Sequence, residues 1–114
     1  MPLLNIETNC PVSPDLEKTL LADLSKLAAQ QLGKPEAYVM VRINAGNTML
    51  FAGSDQPLAY VEVKSIGLQT SQAPGLSRTV CNFLKDRLGI DPSRVYIEFA
   101  SAPGPMWGWN GETF

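Results

Sequence analysis

The sequence predicts an α+β fold. In it, a tandem βαβ repeat builds a two-layer α/β sandwich, with two helices on one face of a four-stranded mixed sheet. Three observations carry this. Two long stretches place leucine and its like at helical spacing, and each ends on a glycine. Short stretches before and after each helix alternate apolar and polar residues with the period of a strand. The order strand, helix, glycine stop, proline turn, strand then occurs twice, and right-handed crossovers would lay both helices on the same side.

The first strand is expected over Pro2 to Thr8, where Leu4 and Ile6 alternate with Asn5 and Glu7, and Asn9-Cys10-Pro11 ends it. Ser13-Pro14-Asp15 is a helix start, with a serine cap, proline in the first turn and an acid beside it. Leu16, Leu20, Leu24, Leu27 and Ala28 form its apolar stripe, and Leu32-Gly33 closes it. After the turn at Lys34-Pro35-Glu36 a second strand is expected over Tyr38 to Ile43. A short apolar strand is expected over Met49 to Ala52.

Ala59 to Ile66 reads as a strand, with Val61 and Val63 set against Glu62 and Lys64. A second helix runs from about Pro74 to Leu88, its inward residues Leu76, Val80, Phe83, Leu84 and Leu88, with Gly89 as its stop. Asp91-Pro92-Ser93 turns the chain into a last strand, Arg94 to Phe99. The tail from Ser101 to Phe114 is too rich in aromatics for a loose end. It reads either as simple packing on the body or as the lining of a pocket.

Both faces of the expected sheet carry apolar residues (Leu3 and Leu4, Val39 and Met40, Tyr96 and Ile97), yet the helices cover one. That imbalance predicts an oligomer. A chain of 114 residues is one domain, 1–114, able to bury a core without staples. A net charge of −2 argues against nucleic-acid binding and electrostatic membrane docking. With no histidine, Ser-His-Asp and Cys-His catalysis and the common zinc sites are excluded, so no metal is expected. Cys10 and Cys81 read as small buried residues of a reducing compartment. No leader and no run of ~18 apolar residues is visible, so a cytoplasmic, soluble protein is expected. The ferredoxin-like fold shares the βαββαβ string, but its metal- and RNA-binding forms carry paired cysteines or aromatics on basic strands. This chain has neither.

Met1-Pro2, Thr8-Asn9 with Pro11, Gly33-Lys34-Pro35, Tyr38, Ser65-Ile66-Gly67, Arg94-Val95-Tyr96-Ile97, Gly108-Trp109-Asn110 and Thr113-Phe114 occur in one order. From first residue to last they resemble the macrophage migration inhibitory factor family of the tautomerase superfamily. The resemblance implies a homotrimer with active sites at subunit boundaries and no cofactor. It also implies keto–enol tautomerisation of a small keto or enol acid, an arylpyruvate such as phenylpyruvate, with dopachrome-like compounds as test substrates. Pro2, freed of Met1, would be the general base, and Lys34 would pair with the substrate carboxylate and steady the enolate. Ile66 and the backbone around Ser65 would form the pocket floor. Tyr38, Tyr96, Met106, Trp109 and Phe114 would supply its walls, Tyr96 from the neighbouring subunit.

Three departures qualify the resemblance. Leu58-Ala59-Tyr60-Val61 stands where the animal proteins have Cys-x-x-Cys, which removes the chemical basis for thiol-redox activity. Glu98 replaces an asparagine that donates to substrate. At ~6 Å and an effective dielectric near 20, its charge would act on Pro2 or a substrate carboxylate by roughly 2–3 kcal/mol. Trp107, in place of a smaller valine, should narrow the pocket mouth. Two other functions compete with the tautomerase: a non-enzymatic, cytokine-like signalling protein, and a different reaction at the same proline. Arg42, Arg78, Arg87 and Arg94 give the latter no motif. Pro2 is a base only as the first residue, because its nitrogen is otherwise an amide.

Overall fold

A computed structural model describes residues 1–114. Strand β1 (Leu3–Thr8) leads to helix α1 (Pro14–Leu32), β2 (Met40–Asn44), β3 (Ala59–Ile66), helix α2 (Ala73–Leu88) and β4 (Val95–Ala102). A two-residue hairpin pair, β5 (Gly108–Trp109) and β6 (Glu112–Thr113), finishes the chain. The main sheet has the order β2-β1-β3-β4. β1 runs parallel to β2 and β3 parallel to β4, while β1 and β3 are antiparallel, so two βαβ units join at the sheet centre. This is the expected four-stranded mixed sheet.

The helix signals work as read. The Ser13 hydroxyl accepts from Leu16 N–H at 3.3 Å, and Gly33 and Gly89 close the helices at φ 64° and 68°. A side chain at those angles would be strained. Leu24 of α1 and Val80 and Leu84 of α2 meet Leu4, Ile6, Ala59, Val61 and Val63 in one cluster, which puts both helices on one face. An Arg87–Asp23 ion pair at 2.8 Å ties the helices together.

Five expectations are corrected. Leu16 is 37% exposed, because it sits in the first turn of α1, beyond the edge of the sheet core. Leu27 of α1 and Phe83 and Leu88 of α2 are only half-buried at the rim of the cluster. The second strand starts at Met40, not Tyr38, because Glu36–Tyr38 form a 3-10 turn after Pro35.

Met49 to Ala52 is no strand. Ala52 and Gly53 both have positive φ and fold Phe51 back onto Ser54 in a tight turn. Arg94 holds this loop through the carbonyls of Phe51, Ser54, Gln56 and Pro57 at 2.9–3.2 Å.

The uncovered sheet face is less apolar than expected. Leu3, Met40 and Tyr96 lie on it, but between them runs a polar row. Arg42 donates to Asn5 (3.2 Å), Asn5 to Glu62 (3.0 Å), and Lys64 pairs with Glu62 at 3.2 Å.

Candidate active site

The site begins at the amino end of β1. The Pro2 carbonyl accepts from Met40 N–H at 2.9 Å, which ties it to β2, and its ring is fully buried on the helix side with Leu4 and Ile6. Beside it opens a hollow of about 270 Å³ lined by Met1, Pro2, Leu3, Ala37 to Met40, Trp107 to Trp109 and Phe114. Ligand pockets usually run ~300–1,000 Å³, so this one suits a single ring with a short side chain.

Four aromatics line it, Tyr38, Trp107, Trp109 and Phe114. Tyr38 meets Trp109 and Phe114 edge-on, with centroids 5.6 and 5.9 Å away, and Trp109 stacks on Phe114 at 5.5 Å and 19°. The tail is held in place by its own backbone, with Phe114 N–H donating to Trp107 O at 3.1 Å. The tail therefore lines a pocket. Trp107 stands among its residues.

Lys34, Ser65 and Ile66 line a second, smaller hollow of about 90 Å³, together with Leu32, Gly67, Leu68 and Gln72. Electrostatics connects the two hollows. The terminal ammonium of Met1 is held below its ordinary pKa, first by burial and then by the charge of Lys34. Met1 also donates from its ammonium to the Tyr38 carbonyl at 2.9 Å.

Tyr96, Glu98 and Met106 do not join Pro2 in this chain. The pairing sets Tyr96 beside Tyr60, itself opposite Glu7, at the far end of β1. Glu98 pairs with Glu62, opposite Asn5, on the open face, whereas Pro2 faces the helices. With strands ~4.8 Å apart and β3 between, Glu98 is some ~10 Å across the sheet and ~10 Å along it from its own Pro2. Tyr96 instead packs against Phe51, centroids 4.7 Å apart, and is 67% exposed. Met106 is 77% exposed in the 3-10 turn before β5.

Sequence reading missed Met40 and Gln72 as lining residues. Met40 is brought there by the pairing of β2 with β1, which sets it beside Leu3 and which no local pattern encodes. Gln72 lies in a polar connection whose path no pattern indicates.

The family model for macrophage migration inhibitory factor matches residues 1–114. The chain belongs to the macrophage migration inhibitory factor family. Among relatives, it is 38% identical to the macrophage migration inhibitory factor homolog of Trichuris trichiura, with all of both chains covered. It is 37% identical to macrophage migration inhibitory factor of Meriones unguiculatus, covering 100% of this chain and 99% of that one. The solved structure of the Prochlorococcus marinus homologue superposes with a TM-score of 0.93 at 45% identity, covering 98% of each chain. Macrophage migration inhibitory factor proteins form part of the tautomerase superfamily.

Proposed function

We propose that this chain is a keto–enol tautomerase of arylpyruvates such as phenylpyruvate, with weak activity on dopachrome-like compounds. The observation that carries the reading is the position of Pro2, buried between an aromatic hollow and a terminus electrostatically coupled to Lys34. In the chain that begins at Met1 the proline nitrogen is an amide, without proton or basicity. Removal of Met1 makes it a secondary amine. Burial and Lys34, the two causes that depress the Met1 ammonium, act in the same direction on an amine one residue further in. Both effects favour the neutral amine, the form that can act as a base.

The neutral amine then takes a proton from the carbon next to the substrate carbonyl, the electron pair moving onto the oxygen as an enolate. The same amine returns the proton to the other position, so the base is regenerated and no bond to the enzyme forms. Lys34 attracts the carboxylate and offsets the enolate charge. The aromatic wall receives the ring.

A homotrimer belongs to this reading. Tyr96 and Glu98 cannot reach the Pro2 of their own chain, so a neighbouring subunit would have to supply them. Phenylpyruvate turnover by the Met1-free chain and by Pro2→Gly tests the function. Lost activity in the variant supports the proline base, and full activity overturns it. A wild type without turnover would favour the cytokine-like reading instead.

A further inference from the structure

The proline mechanism leaves one buried group unused. Ser65 Oγ belongs to a residue 1% exposed and is the single buried side-chain nitrogen or oxygen without a hydrogen-bond partner in the chain. An orphaned buried hydroxyl costs about 1–3 kcal/mol. Its neighbour across the strand is Pro2. Leu4 pairs with Val63 and Leu3 with Lys64, so the same register carried one residue further sets Pro2 opposite Ser65. Both lie on the helix side, Pro2 with Leu4 and Ile6, Ser65 with Val61 and Val63. Directly opposed residues of an antiparallel pair hold their Cβ atoms ~4.5–5.5 Å apart, close enough for a seryl oxygen to reach a prolyl nitrogen.

With Met1 attached, that nitrogen has no hydrogen to give, and its lone pair is delocalised into the peptide bond. The hydroxyl therefore has nothing to bind there. Trimming Met1 turns the nitrogen into an amine with one N–H and a lone pair, or into an ammonium with two N–H groups.

We propose that Ser65 is a positioning residue for Pro2, its Oγ accepting an N–H of the proline nitrogen in the Met1-free chain. This rests on the proline-base reading and adds what aims the base. A neutral secondary amine inverts freely and so presents its lone pair in two directions. Committing the single N–H to Oγ leaves the lone pair pointed one way, into the aromatic hollow. Oγ also keeps a proton of its own. Ser65 lines the hollow that Lys34 borders, so that proton can go to a bound carboxylate there. One hydroxyl thus joins the base to the acid end of the substrate. Lys34 is the charged side chain that lowers the pKa of this terminus, while the segments that close the aromatic hollow also carry the phenol of Tyr38, the carboxylates of Glu36 and Glu112, and the terminal carboxylate of Phe114.

Ser65→Ala separates this role from mere packing. A hydrogen bond to Oγ is stronger from the ammonium than from the neutral amine, so it raises the proline pKa slightly. Losing it should move the Pro2 titration down by about half a unit, read by 15N NMR on the Met1-free protein, and lower the kcat/KM plateau about tenfold. The acid limb of the kcat/KM profile should follow the titration, and Ser65→Thr, which keeps the hydroxyl, should restore both. An unchanged Pro2 titration in Ser65→Ala overturns the proposal whatever the activity. A wild type inactive on phenylpyruvate with a shifted titration sinks the tautomerase and leaves the hydrogen bond standing. Should Ser65→Ala not fold, the wild type still decides: a crystal structure of the Met1-free chain must place Oγ within about 3.2 Å of the Pro2 nitrogen. A longer separation overturns the proposal.

Discussion

The carbonyl oxygen of Phe114 lies 2.9 Å from the point where Gly104 would carry a Cβ. Phe114 is therefore seated against a residue that must have no side chain, while its ring packs on Trp109 and Tyr38. Gly104→Ala should push Phe114 away, since overpacking of this kind costs about 1–3 kcal/mol. A red shift in tryptophan emission and a KM for phenylpyruvate raised up to about tenfold are expected, with kcat changed less. Identical spectra for the two proteins would show that the tail does not depend on this seat.

In the proposed trimer, Glu98 of a neighbouring subunit would place a negative charge where a neutral donor would serve an acid substrate better. Its charge already acts on Tyr60, whose phenol is held above its ordinary pKa by burial first and by Glu98 second. Glu98→Asn should raise kcat/KM for phenylpyruvate about tenfold, half of the Coulomb figure surviving solvent screening. The gain should shrink in high salt. A variant no faster than wild type would place Glu98 away from the reacting groups.

Arg94 is the fastener of the loop before β3. Its guanidinium holds four carbonyls and covers the Phe51 ring at 5.4 Å. Arg94→Ala should cost on the order of 2 kcal/mol in urea unfolding. Arg94→Lys should recover little of it, because an ammonium cannot span four acceptors. Full recovery with lysine would show that charge alone matters.

Glu62 has its pKa lowered, first by the hydrogen bond from Asn5 and then by that from Lys64. A carboxyl with a depressed folded pKa stabilises the fold above its ordinary titration range. That contribution fades as the pH falls through the lowered value. Asn5→Ala should bring the Glu62 titration back toward the ordinary carboxylate range in a carboxyl-detected NMR experiment, and should flatten the acid slope of stability. A Glu62 titration unmoved by the substitution would remove Asn5 as its main partner.

What could be read from the sequence follows the range of the forces involved. Ser13, Pro14, Gly33 and Gly89 act within one helical turn, and both helix ends fall where they indicate. Ala59 to Ile66 was legible to the residue because its alternation is strict. The stretch Met49 to Ala52 was not, since its shape is set by Arg94 forty residues on and by two left-handed residues that composition does not announce. At the site, the tail aromatics and Tyr38 were identifiable as a group, and they do meet around Pro2. The partner of Ser65 and the remoteness of Tyr96 and Glu98 depend on strand order and register, which no local pattern encodes.

Because Arg42, Asn5, Glu62 and Lys64 bond one another across three strands, the open side of the sheet is a rank of fixed charges and not a greasy plane. A greasy plane adheres to any apolar surface in any orientation. Fixed charges discriminate, since a misaligned partner would bury a carboxylate without its counter-ion at a cost of several kcal/mol. A partner on this face would need charges that interlock with its own.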